Sequence, residues 1–157
     1  MPKSQPRYTL AHVTHEAVEQ VGGIGTVLEG LMISPVYQKH VKRSILVGPV
    51  ATHLAIEPEE RLGEMGTVLY SSIDGIDKIG LGGRLRPIEW AFNVSMIYGK
   101  RRYDPPGQGR EGEAEVLLID VFNINKKRLD AFLEDRVRDY DDTVCDGVGR
   151  ARTQATL

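Results

Sequence analysis

The residue types best able to do chemistry stand together near the start of the chain, in His12-Val13-Thr14-His15-Glu16-Ala17-Val18-Glu19-Gln20-Val21-Gly22-Gly23-Ile24-Gly25-Thr26-Val27. Two imidazoles and two carboxylates precede a cluster of glycines. Small residues between the end of a strand and the start of a helix let backbone N–H groups approach a phosphate closely. The helix N-terminus adds about half a positive charge at that spot. The alternative is architectural: the glycines make a tight strand-to-helix turn and permit close packing. The spacing matches neither the G-x-G-x-x-G dinucleotide fingerprint nor the G-x-x-x-x-G-K-S/T phosphate loop.

Other candidates are more scattered. His15, beside Glu16 in the loop, is the histidine placed to touch a ligand. His12 falls inside an apolar run and reads as a satisfied core or rim residue, while His40 and His53 read as surface positions. No H-E-x-x-H spacing occurs, and no metal site is expected. Asp120 lies within the apolar run Val116–Phe122 and either points into a ligand cleft or caps or accepts a hydrogen bond from a neighbouring loop. Trp90 and Tyr98 either stack on sugar rings or pack against a sheet. Cys145 is the only cysteine. It excludes an intrachain disulfide and a cysteine-based zinc cluster, has no histidine near it in sequence, and fits a reducing, cytoplasmic setting. No catalytic residue can be assigned from these groups.

The elements that must position the loop follow from periodicity. Tyr8–Val13 is a short apolar run that predicts a buried first strand. Beyond the glycines, Val27, Leu28, Leu31 and Met32 fall at helical spacing, and Ser34-Pro35 ends or kinks that helix. Ile45–Val50 predicts a second buried strand, so the opening reads as a strand, a crossover helix and a parallel strand. Glu57–Met65 predicts a short helix after Pro58, and Thr67–Ser72 another strand. Ile73–Pro87 reads as glycine-rich turns between short strands, and Ile88–Tyr98 as a stretch of β-formers. Val116–Phe122 is the strongest buried-strand signal, followed by helical spacing over Lys126–Tyr140. The class expected is α/β, a mainly parallel sheet flanked by helices. One domain spans 7–142, and an irregular tail spans 143–157, where no apolar stripe continues.

Composition narrows the function classes. Lys and Arg number 20 against 22 Asp and Glu over 157 residues, a formal charge of −2 that predicts no nucleic-acid partner. No apolar run approaches the ~18 residues of a membrane helix, and Met1–Arg7 lacks the apolar core of a secretory signal.

The run from Glu16 to Val27 resembles the first loop of glycogen and starch synthases. There an acidic residue precedes Lys-x-Gly-Gly, then Leu or Ile, Gly or Tyr, and a Val two positions on. Ile45–Pro49 is similar to the Leu-Val/Ile-Gly-Pro strand of the animal and fungal branch, and Glu115–Asn123 with Leu129 to a later strand and helix. The resemblance covers roughly residues 8–140. It implies the N-terminal, Rossmann-like half of a GT-B glycosyltransferase, incomplete here, whose donor-binding C-terminal domain lies beyond this chain. The implied reaction transfers glucose from ADP-glucose or UDP-glucose to an α-glucan with no cofactor, and a half-domain by itself is expected to be inactive. Carried over by motif, Gly22 and Gly23 would offer N–H groups to the donor phosphates, with Glu16 on the cleft wall. Gln20 stands where the family has lysine; a neutral amide can bond phosphate but supplies no charge-assisted contact. A non-catalytic half-domain that binds nucleotide or glycan is the other reading.

Overall fold

The computed structural model describes residues 8–18, 22–50, 57–63, 65–107 and 109–135. Strand β1 (Tyr8–Val13) leads through the glycine loop to helices α1 (Gly23–Met32) and α2 (Pro35–His40) and strand β2 (Val41–Pro49). A 3-10 turn at Pro58–Glu60 precedes β3 (Gly66–Ser71), β4 (Ile76–Asp77), helix α3 (Gly82–Phe92), β5 (Ser95–Tyr103) and β6 (Gly112–Asp120). Residues 126–135 are helical and form α4.

The six strands make one open sheet in the order β1-β2-β6-β5-β3-β4. β1, β2 and β6 run parallel, with Val13 beside Val47 and Pro49 beside Ile119. The β6–β5, β5–β3 and β3–β4 pairings are antiparallel. The three strands expected to share a parallel sheet do so and are neighbours. The expectation of a mainly parallel sheet is corrected to a mixed one, because β5 returns from α3 as a direct antiparallel partner of β6.

Alternation sorts the sheet's faces. Ser44 and Leu46 of β2, and Ala114, Val116 and Leu118 of β6, are buried with Ile97 under Leu28, Met32 and Ile33 of the α1 segment and Leu62. Ser34 positions α2 by accepting the Tyr37 N–H at 3.4 Å, with Pro35 in the first turn. On the opposite face α3 covers the antiparallel half, where the Tyr70 hydroxyl donates to buried Glu89 at 2.7 Å. Among the described residues no helix is long and apolar enough to cross a membrane.

Several expectations are corrected. β1 is an edge strand, exposed along most of its length rather than buried, with Val13 81% exposed. Among the described residues of the segment expected as a helix at Glu57–Met65 only the 3-10 turn is helical, because Gly63, at φ 81°, leaves the helical region at once. The turns expected over Ile73–Pro87 end at Leu81, and the β-formers from Ile88 continue a helix to Phe92; the strand begins at Ser95. The Asp77 carboxylate starts that helix by accepting the Leu81 and Gly82 amides at 2.8 and 2.9 Å. Asn93, at φ 52°, stops it in the left-handed region. The tail at 143–157, His53, Gln20, Cys145 and the end of the helix expected at Lys126–Tyr140 lie outside the described residues.

The turn before β4 is tied by an ion pair that carries a pH prediction. Arg61 donates two hydrogen bonds of 2.9 Å to Asp74, the side chains being 11% and 9% exposed, and the Ser71 hydroxyl donates to the same carboxylate. The Arg61 bonds hold the Asp74 carboxyl below its ordinary range, against the opposing effect of burial. Between the folded and unfolded values the native chain binds fewer protons, so its stability rises with pH. Arg61→Ala is therefore expected to cost about 2 kcal/mol near neutral pH. Urea titrations of both proteins should show the difference shrinking as pH falls below about 4. A difference constant down to pH 2 would remove Asp74 from the account.

Candidate functional site

The glycine loop is closed by its own carboxylate. Glu16 is 5% exposed, and its Oε2 accepts the Gly25 N–H at 2.8 Å. An α-helix leaves its first amides without intrahelical acceptors. Glu16 therefore caps α1 from nine residues upstream, bringing negative charge to the positive end of the helix dipole. The fit also accounts for Gly22, where an added Cβ would lie 2.8 Å from Glu16 Oε1. Around Gly23 a Cβ would meet nothing within 4 Å.

The preceding residues are equally fixed. Thr14 donates its N–H to Val47 C=O at 2.8 Å, and its hydroxyl accepts the Glu16 N–H at 3.1 Å. The Arg101 guanidinium donates to Val18 C=O and lies over the Tyr103 ring, 5.2 Å from its centroid. The chain can cross the end of β2 only because residue 48 is glycine. A Cβ there would stand 2.5 Å from Thr14 C=O and 2.7 Å from the Ala17 Cβ.

Beside this loop, at the carboxyl ends of β1, β2 and β6, lies an open crevice of about 470 Å³. Val13, Val47, Pro49, Ile119 and Val121 form its apolar floor, and Thr14 and His15 bring its polar groups. The His15 side chain is 68% exposed, with Nε2 3.4 Å from Glu16 Oε1. The crevice occupies the position at which open α/β sheets bind ligands.

Of the residues singled out in the sequence, His15 lines the crevice. Glu16 stands directly behind it and joins it to the glycines. Gly22 and Gly23 open α1 without lining the crevice, and Gln20 lies outside the described residues. Asp120 accepts the Phe122 N–H at 3.0 Å, from the turn that follows β6, and is not among the described residues that line the crevice. His12 bonds the Tyr37 hydroxyl at 2.8 Å as a rim histidine, and that hydroxyl lies 2.9 Å from Ser44 Oγ. Trp90 is 78% exposed rather than packed on the sheet. In the sequence Gly48 reads only as part of a strand. Its role under Thr14 depends on a contact between residues more than thirty apart, which no local pattern displays.

A second concavity, of about 480 Å³, opens at the opposite end of the sheet, lined among others by Arg43, Arg102, Glu111, Glu113 and Glu115. Its charges are largely matched within the protein. Arg43 donates a forked pair of bonds to Glu115, which also accepts from the Tyr98 hydroxyl at 2.6 Å; Arg102 pairs with Glu111 at 3.2 Å. The Arg43 bonds hold the Glu115 carboxyl below its ordinary range, while burial first and Glu115 second push the Tyr98 hydroxyl up.

No family model, no curated protein and no solved structure matches the chain.

Proposed function

We propose that this chain is a Rossmann-like, acceptor-side domain of a glycosyltransferase of the glycogen/starch synthase kind, acting with a second domain to move glucose from a nucleotide-glucose to an α-glucan. The observation that carries the proposal is positional. Thr14 and His15, which lead directly into the family-like run Glu16 to Val27, line the crevice where three parallel strands end. The apolar floor suits the C–H face of a sugar or a base, and His15 supplies a hydrogen-bonding group at its lip. Glu16 satisfies the Gly25 amide, so a donor phosphate would meet the remaining first-turn amides, those of Gly23 and Ile24.

One observation favours a binding role for this domain by itself. Among the described residues Thr14 and His15 are the only polar side chains lining the crevice, and no carboxylate lines it. Among the described lining residues His15 is the one acid–base group, so a second such group would have to come from the opposing domain.

The test uses the isotope-labelled chain titrated with ADP-glucose, UDP-glucose and a malto-oligosaccharide. Amide shifts should cluster at Val13, Thr14, His15, Gly23 and Ile24. Radiolabelled glucose should not enter glycogen, because a lone wall neither excludes water nor aligns donor with acceptor. Absence of any shift at millimolar ligand would remove the proposal. Heat-labile incorporation would place the catalytic machinery within this chain.

A further inference from the structure

We propose that the chain forms a closed dimer through the outer edge of β1, continuing the sheet across a two-fold axis at Ala11. β1 ends the sheet and pairs only with β2 among the described residues. The Thr14 N–H points inward to Val47 C=O. Backbone groups of successive strand residues point to alternate sides, so those of Leu10 and His12 face β2 and those of Thr9, Ala11 and Val13 face outward.

Nothing in the strand protects that edge. Tyr8–Val13 contains no proline, no lysine and no carboxylate, and its side chains are exposed on both faces, Leu10 by 38% and Val13 by 81%. Exposed edges of this kind template the addition of another strand. The sheet's other edge is built differently. β4 is two residues long, and its Asp77 carboxylate is occupied with the start of α3.

That asymmetry selects the partner. β4 offers too little ladder to receive β1 head to tail, so self-association through β1 must be β1 to β1. Such isologous contacts close at two copies instead of growing into a fibre. An antiparallel arrangement centred on Ala11 sets Ala11 against its own copy and Thr9 against Val13 on either side. All three outward-facing residues then fall in hydrogen-bonded pairs, each exchanging both N–H···O bonds. Centring on Leu10 instead would leave Val13 outside the ladder. The only titratable groups in the ladder are Tyr8 and His12, and His12 falls opposite Leu10, so no like charges oppose each other.

Sedimentation of the full chain from low-micromolar to hundred-micromolar concentration tests this, with the mass expected to rise to twice that of the monomer. Ala11→Pro deletes an outward N–H and leaves the ladder to β2 intact. It should weaken the dimer at least tenfold with an unchanged far-UV circular dichroism spectrum. Should that variant fail to fold, Val13→Lys, a change on an exposed side chain, serves in its place with the same expected weakening. Ala11→Cys in a Cys145→Ser background should oxidise to a covalent dimer, since paired Cα atoms about 5.5 Å apart are within disulfide reach. A monomer at every concentration, a dimer indifferent to both Ala11→Pro and Val13→Lys, or no covalent dimer on oxidation would overturn the proposal.

Discussion

Replacing Glu89 with alanine is expected to lower stability by about 4 kcal/mol, two buried hydrogen bonds and the space of the side chain being lost together. Glu89 lies on the inner side of α3 and is 3% exposed. Its Oε2 accepts from the Tyr70 hydroxyl at 2.7 Å, and its Oε1 accepts from the Met96 N–H at 2.8 Å. One carboxylate thus clamps α3 to β3 and to the start of β5. Tyr70 is 1% exposed, so its hydroxyl loses its carboxylate acceptor at a buried position. The Met96 N–H keeps a contact to Ser72 Oγ at 3.1 Å, which softens the loss on that side. Burial first, and the bond to Glu89 second, push the Tyr70 hydroxyl up to about 12. In the variant the bond to Glu89 no longer contributes to that rise.

Thermal denaturation should show a midpoint lower by roughly 10 °C. Glu89→Gln should fall between the two proteins. An amide offers one acceptor oxygen, so either Tyr70 or Met96 faces an N–H₂ group. An alanine variant as stable as the parent would mean that the clamp does not form in solution.

Glu89 also marks where the sequence was hard to read. Trp90, Phe92, Val94 and Ile97 suggested a strand, while Gly82-Gly83 and Pro87 suggested turns. All three of those small or rigid residues lie in α3. A proline in a helix removes one intrahelical donor and crowds the carbonyl four residues earlier. Here the residue four earlier is Gly83, and the hydrogen bonds of Glu89 to the sheet offset the weak local preference. Tertiary contacts outweighed propensity, which is where single-sequence reading fails.

The parallel half was legible because local and global signals agree there. Tyr8–Val13, Ile45–Val50 and Val116–Phe122 each contain a short apolar run, and each lies within a strand or overlaps one. Burial was legible only for β2 and β6. Whether a strand ends up central or at an edge depends on pairings with distant segments, and the composition of β1 does not encode it. The loop was visible for the same reason in part. Its glycines and acidic residue stand out by type, but the closure of Glu16 onto Gly25, and of the chain over Gly48, are contacts in space.

The largest functional effect is expected from a pair of neighbouring glycine variants that separate the two roles the loop can have. Gly23→Val should leave the fold intact, since nothing lies within 4 Å of the added Cβ and no positive φ is required there. At the first position of α1 a valine is no worse a helix residue than glycine, so stability should change by under about 0.5 kcal/mol. If the Gly23 and Ile24 amides meet a donor phosphate, the branched side chain stands between them and the ligand. Nucleotide-glucose affinity should then fall at least tenfold. Gly22→Ala should do the reverse. Its Cβ would press on Glu16 Oε1 at 2.8 Å, displacing the buried carboxylate from the Gly25 N–H. That loss of a cap should cost about 1 kcal/mol of stability whether or not ligand is present. Isothermal titration with ADP-glucose and UDP-glucose, beside urea unfolding of both variants, separates the two effects. A Gly23→Val protein that binds as tightly as the parent, alongside a destabilised Gly22→Ala protein, would leave the glycines with architecture as their whole role.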